Sequence, residues 1–145
     1  LSDAKAFIPL EGEVKQGDLV YLDVVGLDDW TYKVDSTVYY VAWDYENMAY
    51  AVIVPNKDLK KMGDQRDYSD NGFEGPMPKP YRIYGTATKV SKEVKDAYME
   101  VYSLTSEDFD KYLGFYLLNG NYTPGENQKY GFLMVALFAG LLFSL

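Results

Sequence analysis

The sequence predicts an α+β fold: a small, coiled antiparallel sheet of four to five strands, then two helices, then a C-terminal apolar helix. Three observations lead there. Before residue 90, apolar and polar residues alternate in four runs, the period of a half-buried strand. Between residues 91 and 120 the period shifts to i, i+3, i+4, the stripe of an amphipathic helix. Residues 131–145 then carry no charge at all.

The first strand falls in Gly17–Gly26, "GDLVYLDVVG", with Val20, Leu22 and Val24 on one face and Leu19, Tyr21 and Asp23 on the other. The second and third, Thr37–Asp44 and Met48–Pro55, flank Asp44-Tyr45-Glu46-Asn47. Those four residues carry turn chemistry, so the two strands form a hairpin. The fourth is Tyr81–Thr88, where Gly85 points to a bulge or a sharp bend. A short fifth strand is expected near Ala6–Ile8 or near Tyr32–Val34.

Ser91 caps the first helix, whose stripe is Val94, Ala97, Tyr98, Val101 and Tyr102. Thr105 and Asp108 fit a capping box for the second. Its apolar face is predicted to be Phe109, Tyr112, Leu113, Tyr116 and Leu117, with Gly120 as its stop. Between Asn56 and Pro80 the chain is polar and rich in Gly, Pro and Asp, which predicts a long loop with at most a helical turn around Leu59–Met62.

That loop holds the one candidate metal site. In "DYSDNG", Asp67, Ser69 and Asn71 occupy the first, third and fifth positions of a calcium loop, with Gly72 at the turn. The twelfth position is Pro78 where Glu belongs, so Glu74 is the substitute oxygen donor. The alternative reading is a solvated acidic turn.

Composition excludes several chemistries. The 145 residues contain no Cys and no His, which removes disulfides, thiolate metal sites, a cysteine nucleophile and the commonest general base. The net charge of −8 repels phosphate backbones, so no nucleic-acid partner is expected. Mean hydropathy is −0.27 although 48 % of residues are apolar, because an acidic body is joined to an apolar end. Asp28 and Asp29 beside Trp30, and Asp23, Asp44 and Glu46, are the carboxylates from which an acid–base pair would be drawn. Fifteen tyrosines stand out. Tyr39, Tyr40 and Tyr50 line either a binding face or half-buried sheet positions with a wet hydroxyl.

The domain is expected to occupy residues 1–120 and a linker residues 121–130. As a helix at ~1.5 Å per residue, Gly131–Leu145 would be ~22 Å long, short of the ~30 Å hydrocarbon core. It reads as a truncated transmembrane helix, or else as a core or oligomer-contact helix. Its nine Leu, Phe and Val residues favour insertion by roughly 3–5 kcal/mol. Only Lys111 and Lys129 are basic in the twenty residues before it, so the domain is expected to face outward. The chain opens on Leu1 without a signal-peptide pattern and is expected to be a fragment of a longer precursor.

The segments "GDLVYLDVVGLDDWTYK", "TVYYVAWDYENMAYAVIV", "RIYGTA" and "YLGFYLLN" resemble a family of Gram-positive (Firmicutes) membrane proteins with one extracytoplasmic domain between two transmembrane helices. The resemblance spans roughly Gly17–Asn119 and implies a further membrane helix before Leu1; it carries over no catalytic residue. The coiled meander followed by "RIYGTA" is also similar to an OB-like barrel. The expected function is therefore non-enzymatic binding of a protein, peptide or glycan at the cell surface, with no resident cofactor. The alternatives are a carboxylate-based hydrolase of surface polysaccharide and a structural subunit that docks its apolar tail into a partner.

Overall fold

The computed structural model describes residues 3–10 and 13–121. The apolar segment 131–145, and the linker apart from Asn121, lie outside the described residues. Among the described residues the chain forms, in order, β1 (Lys5–Ala6), β2 (Leu19–Val24), β3 (Gly26–Leu27), β4 (Tyr32–Val34), β5 (Thr37–Trp43), β6 (Ala49–Ile53), α1 (Asn56–Leu59), α2 (Gly63–Asp70), β7 (Tyr81–Lys89), α3 (Lys92–Tyr102), α4 (Ser106–Tyr112) and β8 (Tyr116–Asn119). The class is α+β: one mixed sheet with four helices.

The strand order is β1-β2-β7-β8-β6-β5-β3, with β4 alongside β5. β2 and β3 are one stretch of chain divided at Val25, and they stand near opposite ends of that order. Leu19–Val24 pairs antiparallel with β7, while Gly26–Leu27 pairs antiparallel with β5. The Val25 amide donates to the Trp43 carbonyl and the Asp28 amide to that of Val41, extending the second pairing on either side. Val20, Leu22 and Val24 are buried as the alternation requires.

Four expectations change. The sheet is mixed, because β1 pairs parallel with β2 and β6 parallel with β8. Both of the short strands anticipated near Ala6 and Tyr32 form, and with β3 and β8 they make the sheet larger than a plain OB barrel. Residues 56–80 are not a bare loop: α1 and α2 bring Met62 and Gln65 into the interior, and the Gln65 side-chain amide donates to the Lys79 carbonyl at 2.8 Å. Two buried residues in a polar run give no periodicity to read. Finally, α4 stops at Tyr112, because Gly114 takes the left-handed conformation (φ 75°). Tyr116 and Leu117 then belong to strand β8 and not to the helix.

Gly85 is no bulge: the β2–β7 register runs through it unbroken, opposite Val20. Its hydrogen side chain is needed elsewhere, since a Cβ there would collide with the Asn119 carbonyl oxygen of β8. β7 changes partners at this place, pairing with β2 over Tyr81–Thr86 and with β8 over Thr86–Lys89.

The β5–β6 hairpin forms as its sequence predicts. Asp44 Oδ1 accepts from the amides of Glu46 and Met48, and Asn47 takes a left-handed φ of 62°. Alternation gives the hairpin two apolar faces. One packs Tyr40, Ala42 and Val52 against β2, β7 and Met62. The other packs Val41, Ala51 and Ile53 under Val94 and Tyr98 of α3 and Phe109 of α4. Ser91 caps α3 through the Val94 amide, and Thr105 and Asp108 complete the capping box of α4.

Tyr98 joins the two layers. It is fully buried, and its hydroxyl donates to the Tyr40 carbonyl at 2.6 Å. Burial holds this phenol's pKa well above the usual tyrosine value, so it stays a donor. Tyr98→Phe leaves a buried carbonyl short of a donor and should cost about 1–2 kcal/mol. It should lower the urea midpoint without changing the slope of the transition. A loss no greater than that of Val101→Ala on the exposed side of α3 would dissociate stability from this bond.

Candidate functional site

Asp28 follows β3 and reaches three elements. Its Oδ1 accepts from Trp43 Nε1 of β5 at 3.1 Å and from the Ser69 hydroxyl of α2. Its Oδ2 accepts from the Tyr102 hydroxyl of α3 at 3.0 Å. Burial, and then the Asp28 carboxylate, push the Tyr102 phenol well above its ordinary pKa, so it remains a donor. The carboxylate that sequence reading offered as an acid or base is thus occupied as a staple between strand and helices.

The same residues hold Trp43 still. Phe73, which follows α2 with φ 63°, meets the Trp43 ring edge-on at 5.3 Å between centroids and covers Gly26. Tyr68 meets Phe73 edge-on in turn, at 5.5 Å. Trp43 is fixed on one flank by aromatic contacts and at its nitrogen by Asp28.

The other flank of Trp43 opens into a groove of about 550 Å³. The hairpin supplies Val41, Trp43, Met48 and Ala49 as one wall; Tyr102, Leu104, Tyr112 and Leu113 from α3, α4 and their connection form the other, with Lys111 among them. The groove exists because α3 and α4 cover the outer hairpin face over Val41, Ala51 and Ile53 but leave its turn end uncovered. Tyr112 and Met48 at its edges are 52 % and 41 % exposed. An apolar opening of this kind, with few polar groups, is the usual form of a binding cleft.

A second cavity of about 450 Å³ lies on the other side of the hairpin turn. It is lined by Phe7 and Ile8, by Tyr21 and Asp23 of β2, and by Asp44, Tyr45, Glu46, Met48 and Tyr50. Three carboxylates noted in the sequence, Asp23, Asp44 and Glu46, therefore share one wall system. Asp23 is held by a two-pronged ion pair with Arg82 at 2.8 and 2.9 Å, which lowers its pKa. Asp44 Oδ2 accepts from the Tyr50 hydroxyl at 2.7 Å. Met48 lines both openings.

The other predicted residues are scattered. Asp67 and Ser69 lie on α2, two positions apart and so on different sides of the helix; the Ser69 hydroxyl is given to Asp28. Asn71 ends that helix, and Glu74 is exposed beyond it. Among the described residues no three His, Cys, Asp or Glu side chains gather to hold a metal ion. Asp29 is exposed, in a loose 3.9 Å contact with Arg66. Of Tyr39, Tyr40 and Tyr50, Tyr40 is core, Tyr39 packs beneath α3 and α4, and Tyr50 borders the second cavity. Sequence reading missed the groove residues. Tyr112 and Leu113 were placed on a helical core face, and only the width of that apolar stripe hinted that part of it lies open.

Fold and site together define an α+β domain whose strand hairpin carries two openings at its turn. The chain belongs to the family described as Domain of unknown function (DUF8577), which matches residues 29–145. The match takes in β4 onward and leaves β1–β3 outside it. No curated protein and no solved structure matches the chain.

Asp28→Ala strands three donors and should cost about 2–3 kcal/mol in urea unfolding. Asp28→Asn should fall between, since an amide oxygen offers two lone pairs and its nitrogen faces donors. Both should shift Trp43 fluorescence toward that of a wetter indole. An Asp28→Ala protein as stable as the parent would contradict the staple.

Proposed function

We propose that this chain is a non-enzymatic binding domain held at the outer surface of a cell membrane by residues 131–145. Its groove between the β5–β6 hairpin and α3–α4 takes an apolar side chain of a protein or peptide partner. The observation that carries this is the groove itself, a preformed apolar opening walled by a tryptophan that Asp28 holds at its nitrogen and Phe73 on one flank. A rigid wall spares the ordering cost that weakens most surface contacts.

The strand pairing supports an OB-like reading of the sheet. If β2–β3 is counted as one bent strand, the order β3-β5-β6-β8-β7-β2 returns to its own start, with β6 and β8 parallel. OB barrels bind along the face of their second and third strands and at the loops beside it. Here those strands are β5 and β6, and most of that face is covered by the chain's own α3 and α4. What stays open is the turn end, where the groove lies. The coverage favours one inserted side chain over an extended oligosaccharide.

The tether rests on the composition of residues 131–145. Among the described residues no helix is long and apolar enough to cross a membrane. Flotation tests the tether: the full chain should rise with phosphatidylcholine vesicles, and a Leu137→Lys, Leu141→Lys variant should stay behind. Equal flotation of both would remove the anchor.

The groove is tested with Gly/Ser decapeptides bearing a single Phe, Leu or Ala, titrated into the full chain in mild detergent. With Trp30→Phe, Trp43 is the sole tryptophan and reports occupancy by a blue shift. Phe and Leu peptides should bind and the Ala peptide should not, and Tyr112→Asp should weaken binding at least fivefold. Titrations unchanged by Tyr112→Asp would overturn the assignment.

A further inference from the structure

The groove and the acidic cavity share Met48 as a common wall. We infer that the partner segment is basic as well as apolar: one apolar side chain enters the groove, and a neighbouring Lys or Arg crosses Met48 into the cavity. This rests on the binding reading above and names the chemistry of its partner.

The cavity suits an organic cation by its lining. Glu46 and Tyr45 stand at the exposed turn, and the neighbouring Glu46 carboxylate raises the Tyr45 pKa. A carboxylate has about four acceptor sites, so Glu46 has room for an ammonium or guanidinium group. The 62 %-exposed Tyr45 offers such a group a ring face. Asp44 lies behind and adds negative field without being available as a direct ligand, since the turn and Tyr50 already occupy it, while Arg82 neutralises Asp23. A cation with an alkyl stem also fits Phe7 and Tyr50, whose rings pack at 5.9 Å in the same walls.

Charge fixes direction as well. Lys111 stands on the helical wall of the groove, opposite the hairpin. A basic residue is repelled on that side and attracted on the Met48 side, so the peptide lies across the turn in one orientation. A formal charge of −8 on the whole chain draws a basic segment from solution before any contact is made.

The probes are labelled Gly/Ser decapeptides containing Phe followed two residues later by Lys, Gln or Glu, titrated into the full chain in mild detergent. The Phe–Lys peptide should bind about tenfold more tightly than Phe–Gln at low salt, with Phe–Glu weakest, and the advantage should shrink as salt is raised. Glu46→Lys, on the exposed turn, should abolish the advantage of Phe–Lys over Phe–Gln. Equal binding of Phe–Lys and Phe–Gln, with Tyr112→Asp still weakening both, overturns the basic partner and leaves the groove assignment standing. Binding that ignores Tyr112→Asp overturns both. Lys129 followed by Phe132 has the same chemistry within this chain. Lys129→Gln should leave peptide affinity within twofold, and a several-fold gain would make the chain's own tail the occupant and overturn the proposal.

Discussion

The constraint on which the rest of the molecule depends is the burial of one hairpin on both faces. β5 and β6 alternate so that Tyr40, Ala42 and Val52 face the sheet interior while Val41, Ala51 and Ile53 face outward, and both sets are apolar. A strand pair of this composition cannot be left with one face in water, since each Val or Ile side chain gains roughly 1.5–3 kcal/mol by full burial. The chain answers by placing α3 and α4 over the outer face. That placement falls between β7 and β8 in the sequence, so the chain returns from the helices to enter the sheet between β6 and β7, parallel to the first and antiparallel to the second. The mixed sheet follows from the need to cover the hairpin. Tyr98, reaching from α3 through the outer layer to the Tyr40 carbonyl, ties the cover to what it covers.

The entry of β8 is sterically tight. Gly85 has no room for a Cβ beneath the Asn119 carbonyl, and it lies where β7 passes from one partner to the other. A nine-residue strand pairs with β2 over its first part and with β8 over its last, as a strongly coiled sheet requires. The same geometry lets the stretch from Leu19 to Leu27 serve two distant places in the strand order by turning at Val25.

Those elements with local causes were legible in the sequence. Alternation in Leu19–Val24, turn residues after Trp43, the Ser91 cap and the Thr105–Asp108 box all act within a few residues, and each has its expected partner in the fold. What escaped reading depends on distant contacts. Tyr116 and Leu117 continue the spacing of the α4 stripe, yet the gap beside β7 takes them as a strand once Gly114 has broken the helix. Met62 and Gln65 look solvated until the packing of the interior is known. The candidate site divides in the same way. The carboxylates Asp23, Asp44 and Glu46 could be named from sequence but not brought together, because one comes from β2 and two from the hairpin turn. The groove had no signature, since it is the part of an ordinary helix–sheet contact that the helices do not reach.

Where the cover stops decides what the surface can do. α3 and α4 protect the middle of the hairpin and leave its turn with an apolar opening on one side and an acidic one on the other. A net charge of −8 keeps such a domain apart from anionic surfaces, including anionic lipid. On the proposed reading, attachment is therefore the task of residues 131–145 and not of the folded body's charged surface. The division has a physical advantage. On that reading, apolar contact at the groove would set how long a partner stays, while charge at the cavity would set how fast it arrives and which way round it lies. Both act on the same few residues of one turn, whose geometry Asp44 fixes through the amides of Glu46 and Met48.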